Sequence, residues 1–222
     1  MKRFVVLALI LVSLTRVSAQ TNPELEALIK KADLLRDSIP AEALRQYKTA
    51  WNKMMQQGAH SKKAVLANAI GYVCYRQGMY DSARLFYHTG FSSADQQKDS
   101  KEMAGAYIGL GETFLSLGMR DSSRHYLNHT LSLVATKKLY SEEADAYSTL
   151  GNVEVQENSY EKALRYFIQT ANIYDSLLHE PVGFSRALAN IANVHYSLGN
   201  TEKALEYIGQ CHALALKNNY RQ

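Results

Sequence analysis

His125 and His129 stand four residues apart in the stretch RDSSRHYLNHTLSLV, the spacing at which two imidazoles on one helix face can converge on a metal ion. A tetrahedral site needs further His, Cys, Asp or Glu ligands aimed at the same point, and the sequence brings none into view. The spacing therefore predicts a solvated pair on an outer helix face, and no metal. Three glycines at 105, 109 and 111 in GAYIGLGETF match a phosphate-cradling loop only in number, because that chemistry needs a strand running into the loop. Here the flanking pattern is helical on both sides. Glu154 and His195 occupy equivalent places in two similar stretches, at positions where burial is expected. Either they pair with each other, since buried charges are seldom left unpaired, or each snorkels to the edge or bonds locally. No nucleophile, base and orienting group assemble anywhere, so no enzyme activity and no cofactor are predicted.

What positions these residues is a repeat. LGNVEVQENSYEKALRYF at 150–167 is echoed by IANVHYSLGNTEKALEYI at 191–208, and IGYVCYRQGMYDSARLFY from 70 and LGETFLSLGMRDSSRHYL from 110 follow the same plan. Starts at 70, 110, 150 and 191 define a unit of about forty residues, so the 222-residue chain is read as one elongated stack. With only Pro23, Pro40 and Pro181, and no sustained Val/Ile/Thr alternation, the units are all-α.

Aligned, the units give a small column of Gly71, Gly111, Gly151 and Ala192, and twelve residues later a second of Ala83, Ser123, Ala163 and Ala204. Four further on is a large column, Tyr87, Leu127, Phe167 and Ile208, then a small-to-medium one, Gly90, Thr130, Thr170 and Cys211. Offsets of three and four place each group on one helix face, and QGMYD, LGMRD, ENSYE and LGNTE between the groups read as helix–helix turns. Two antiparallel helices interlock closely where one offers Gly or Ala to the other's large side chain. Running the frame back lands on Lys31, Ala43, Tyr47 and Ala50, a degenerate first unit with a fitting second helix. Ser38 and Ser141 are expected as N-caps, and Asp99 with Glu102 as a capping box.

The first residues are a different object. Lys2 and Arg3, the apolar run from Phe4 to Val12 and the small residues before Gln20 have the form of a secretory signal peptide over 1–19, too short for a membrane span. An exported chain, periplasmic or extracellular, is expected. Removing that segment also removes Lys2, Arg3 and Arg16 and leaves basic and acidic residues nearly balanced, so no basic stripe remains to track a nucleic acid. Cys74 and Cys211 lie three units apart along the stack, farther than a disulfide reaches.

With Tyr107, Leu110, Gly111, Phe114 and Leu127 in one unit and Tyr147, Leu150, Gly151, Ala163 and Phe167 in the next, the pattern resembles the tetratricopeptide repeat over roughly residues 24–216. The resemblance implies a right-handed superhelical solenoid of antiparallel helix hairpins. Its units lie near 24–63, 64–103, 104–143 and 144–184, with an incomplete one at 185–222. The period exceeds the family's ~34 residues, and such long units resemble those of kinesin light chains, of bacterial phosphatase-type regulators and of the exported input regions of sensor kinases in Bacteroidota. The resemblance also implies a concave surface lined by first helices, here Asn68, Tyr72, Tyr75, Arg76, Glu112, Asp145, Asn152, Gln156, Arg186, Asn193 and Tyr196. Amides pair with a peptide backbone, and tyrosines supply rigid area with a polar tip.

A protein or peptide in this groove is the expected partner, and the expected role is the input or scaffold segment of an envelope signalling protein. The alternatives are a stand-alone periplasmic or surface scaffold and a small-molecule-binding or hydrolytic protein. LALKNNYRQ at 214–222 aligns with LVATKKLYS at 133–141, so Ile208, Cys211 and Leu214 are expected to lack a covering helix and to offer a face for self-association or a partner.

Overall fold

The computed structural model describes residues 23–58 and 60–217; the signal-peptide segment 1–19 lies outside them. Among the described residues there is no strand. The helices are α1 (Pro23–Leu35), α2 (Pro40–Gln57), α3 (Lys63–Arg76), α4 (Tyr80–Gln97), α5 (Ser100–Ser116), α6 (Arg120–Val134), α7 (Tyr140–Gln156), α8 (Tyr160–Asn172), α9 (Pro181–Ser197) and α10 (Thr201–Lys217). They pair as five consecutive hairpins. None is long and apolar enough to cross a membrane.

One turn closes four of the hairpins. Gly78, Gly118, Asn158 and Gly199 sit in the left-handed region, with φ of 72°, 75°, 56° and 75°. The amide of each bonds three residues back, and the following amide reaches the carbonyls of Cys74, Phe114, Glu154 and His195 respectively. This is the Schellman ending, which satisfies the last carbonyls of the first helix; glycine, or asparagine at 158, takes the required conformation at little cost.

The small and large columns meet as the spacing predicts. A Cβ added at Gly71 would lie 2.9 Å from the Tyr87 ring, one at Gly111 2.8 Å from Leu127, and one at Gly151 2.5 Å from Phe167. Tyr87 is held from a second side by Gly109 of the next hairpin, where an added Cβ would lie 2.2 Å from the ring and overlap it. Gly109 and Gly111 thus make room for the Tyr87 and Leu127 side chains, with no strand ahead of them; nothing crowds Gly105.

Capping differs from expectation in part. Asp99 caps α5 by accepting the amides of Lys101 and Glu102, but Glu102 does not close the box; its carboxylate takes a bond from Asn68 at 2.8 Å instead. Ser38 and Ser141 are not caps. The cap positions are Ile39 and Leu139, neither with a side-chain bond; Ser38 stands one residue before the first, and Ser141 is already the second residue of its helix. Cys74 and Cys211 are free thiols.

First helices of neighbouring hairpins pack on each other, α3 on α5 and α5 on α7, while second helices approach less closely. This asymmetry bends the array into a right-handed superhelical solenoid with first helices inside. The interval from 150 to 191 is one residue longer than its predecessors, and there the backbone makes a π-helical turn, Ile173–Leu178, that absorbs the extra residue. This turn packs against both α7 and α9 and stands between them.

Candidate functional site

The π-turn projects Tyr174 into the middle of the inner surface. Its ring is buried against Gly183, and its hydroxyl donates to the Asp145 carboxylate at 3.0 Å. Arg186 of α9 lies over the same ring at 6.0 Å and donates to its hydroxyl at 3.4 Å. Glu112, one hairpin earlier on α5, is half-buried at this centre. Burial pushes its carboxyl up to about 7, and the charge of Asp145 adds to the rise while Arg186 opposes it. Burial also raises Asp145, against the bond from Tyr174 and the charge of Arg186. Burial and the neighbouring Asp145 push the Tyr174 hydroxyl up to about 12, so it remains a donor at neutral pH.

In the sequence Glu112, Asp145 and Arg186 were three of eleven expected groove residues, not grouped with one another, and Tyr174 was not among them. The usable signal was the extra residue in the fourth unit, since an insertion inside a helix is commonly taken up as a π-turn.

Glu112 has a stability consequence with a definite sign. A carboxyl whose folded value lies above its unfolded value of about 4.5 favours the folded chain below pH 4.5, and this advantage disappears as pH rises through 7. Glu112→Gln is therefore expected to stabilise the protein at pH 8 by about 1–3 kcal/mol and to change little at pH 4.5. Thermal melts at the two pH values check this; an equal shift at both would refute it.

The remaining groove residues divide. Tyr72 donates to Asp37 at 2.7 Å, and Arg76 reaches the same carboxylate at 3.3 Å and the Tyr72 oxygen at 2.8 Å. Arg36 and Arg76 both lie over the Tyr72 ring, at 5.5 Å and 5.7 Å. Tyr75 accepts from Ser116 at 3.3 Å. Asn68 donates to the Glu102 carbonyl and carboxylate, which commits its amide nitrogen to the junction between α3 and α5. Asn152, Gln156, Asn193 and Tyr196 stand exposed along α7 and α9.

Of the residues with possible chemistry, His125 and His129 are both exposed, their ring centroids 4.6 Å apart. Among the described residues no group of three His, Cys, Asp or Glu is placed for a metal. Glu154 and His195 do not pair with each other. Glu154 is claimed by Arg124 of the preceding second helix at 3.0 Å, with Lys162 at 3.9 Å. His195 stacks on Tyr207, the rings 5.6 Å apart and 9° from parallel.

Comparison with known proteins agrees with this architecture. The tetratricopeptide repeat model matches residues 142–217, which contain most of the last two hairpins. No curated protein matches the sequence. A Rap protein complexed with competence and sporulation factor superposes with a TM-score of 0.80 at 14% identity, over 89% of this chain and 56% of that one. The Rap conjugation gene regulator of plasmid pLS20, in complex with the Phr* peptide, gives 0.77 at 18%, over 89% and 55%. A putative kinesin light chain from Podosopora anserina with nearly identical repeats gives 0.65 at 12%, over 91% and 100%. At these identities the likeness establishes the fold alone, and this chain spans about half the length of the two Rap proteins. The molecule is an all-α solenoid of helix hairpins, and its residues 142–217 match the tetratricopeptide repeat.

Proposed function

We propose that the chain is a non-catalytic binding module that holds an extended peptide or protein segment along its inner surface, with Glu112 and Asp145 receiving a positively charged group of that segment. The observation that carries this reading is the pair of half-buried carboxylates on neighbouring first helices, Asp145 oriented by Tyr174 and both only partly answered by Arg186. A cation arriving there would stabilise both carboxylates in their charged form, whereas an acidic segment would meet repulsion. Two similar structures are complexes, one with competence and sporulation factor and one with the Phr* peptide, which supports the mode and not the ligand. The signal-like segment and the long units favour an exported protein, periplasmic or extracellular, serving as the input or scaffold part of an envelope signalling system; a stand-alone assembly scaffold is the alternative.

A random peptide library displayed on phage tests the groove. Selected peptides are expected to be enriched in Lys or Arg and to lose at least about tenfold in affinity, equivalent to ~1.4 kcal/mol, on Glu112→Gln with Asp145→Asn. They should also weaken with Tyr72→Ala, Asn152→Ala and Tyr196→Ala combined. Selection of acidic peptides, or affinity unmoved by both sets, would reject the reading.

A further inference from the structure

Two places on the inner surface carry tyrosine, aspartate and arginine in the same bonding order but in different proportion. At the first, between α1 and α3, the Tyr72 hydroxyl donates to Asp37 at 2.7 Å and accepts from Arg76 at 2.8 Å, and the Arg36 and Arg76 guanidiniums both lie over its ring. At the second, the Tyr174 hydroxyl donates to Asp145 and accepts from Arg186, which lies over that ring. The surplus charge differs in sign. Arg36 at 3.5 Å and Arg76 at 3.3 Å share the one Asp37 carboxylate, so the first place keeps a positive charge in excess. Around Tyr174 the single Arg186 answers both Glu112 and Asp145, and the charge of Glu142 also reaches Asp145, so the second keeps a negative excess. The Arg36 and Arg76 side chains are 48% and 43% exposed, and a guanidinium has five N–H donors, so both have donors left for a ligand.

The repeat fixes how far apart these places lie. Tyr72 and Glu112 stand at one register of successive units, and α3 packs directly on α5, with the Ser116 hydroxyl bonded to Tyr75 between them. The positive place and Glu112 are therefore separated by one helix spacing, about 8–10 Å. Asp145 lies one spacing further, on α7, and about two turns nearer the start of its helix than the residue in register with Glu112, Asn152. An extended chain crosses this interval in roughly four to seven residues.

We infer that the segment held by this groove is zwitterionic, with an acidic residue on Arg36 and Arg76 and, about four to seven residues away, the basic residue received by Glu112 and Asp145. The inference rests on the carboxylate reading above and adds to it a second charge, with its sign and spacing. Opposite excess charges at two fixed points also select one register of the segment, because a shift that brings its acidic residue beside Glu112 meets repulsion.

Phage selections on the wild-type chain, on Arg36→Gln with Arg76→Gln, and on Arg36→Glu with Arg76→Glu test it. Both arginines are exposed enough that each variant should keep the circular dichroism of wild type. Wild-type selections are expected to pair a Lys or Arg with an Asp or Glu about four to seven positions away. The glutamine variant should keep the Lys or Arg and lose the acidic partner; the glutamate variant should put a second basic residue in its place. One wild-type peptide, synthesised with both ends blocked, should bind roughly fivefold more weakly to the wild-type chain once its acidic residue is replaced by the amide, and no more weakly to the glutamate variant. Wild-type pools with Lys or Arg but no acidic partner at that spacing, or an acidic partner that persists on the glutamate variant, would overturn the inference and leave the carboxylate reading standing. Pools without Lys or Arg would strike that reading itself, and this inference with it.

Discussion

Gly109→Leu is expected to lower the melting temperature by roughly 5–10 °C, from an overpacking cost of about 1–3 kcal/mol and a few degrees per kcal/mol for a chain of this size. The Tyr87 ring is buried between Gly71 of its own hairpin and Gly109 of the next, and an added Cβ at either place would crowd or overlap it. The ring has no free side to move into, so the new side chain must part the hairpins. The same glycine-to-larger change has the opposite sign where nothing is in the way. Gly209 on α10 has no atom within 4 Å of an added Cβ, and Gly209→Ala should stabilise its helix by about 0.5–1 kcal/mol through propensity alone. Thermal unfolding followed by circular dichroism separates the two. If Tyr87→Ala rescues part of the Gly109→Leu loss, the damage lies in this contact; a Gly109→Leu protein melting with wild type removes the clasp from the account.

The parts of this fold that could be read in advance are those where one residue type is forced by contact with another in every unit. A ring or branched chain at 87, 127 and 167 leaves only glycine opposite it at 71, 111 and 151, so both columns survive in the sequence as a pattern. The turn residues are legible for a similar reason, since a left-handed position at 78, 118, 158 and 199 favours glycine or asparagine. Contacts that several chemistries can fill leave no such trace. One junction uses Arg84 over Phe114 and the next Arg124 with Glu154. Beside this column, Phe86, Tyr126, Tyr166 and Tyr207 form an aromatic file on the second helices, which meets Phe114 in one unit and His195 in another. A mutual pair was one of two readings of Glu154 and His195, which share a column; instead Glu154 meets Arg124 of the preceding hairpin and His195 stacks on Tyr207 of its own. At the inner surface the individual positions of Glu112, Asp145 and Arg186 were legible, but the buried tyrosine that organises them depends on a local change of helix type.

Arg124→Met should be among the most damaging single changes in the molecule. Glu154 is only 3% exposed, and one of its oxygens has no hydrogen-bond partner even in the intact protein. Taking away the guanidinium leaves a buried carboxylate facing only Lys162 at 3.9 Å, on a mostly exposed side chain. Breaking a buried pair from one side costs about 3–5 kcal/mol. The preceding junction shows how the loss can be avoided. Glu154→Phe installs the residue found at the equivalent Phe114, where Arg84 lies 5.6 Å over the ring and Tyr126 stacks on it at 5.4 Å. Arg124 and Tyr166 stand ready to do the same, so Glu154→Phe is expected within about 1 kcal/mol of wild type, as buried ion pairs often are when replaced by well-packed apolar groups. In that background Arg124→Met should cost only about 0.5–1 kcal/mol, the worth of a cation over a ring. The four proteins form a double-mutant cycle with an expected coupling of about 2 kcal/mol or more, read from urea unfolding. Additive effects would mean that Arg124 acts through its aliphatic stem, and that the carboxylate beneath it does not depend on the charge above.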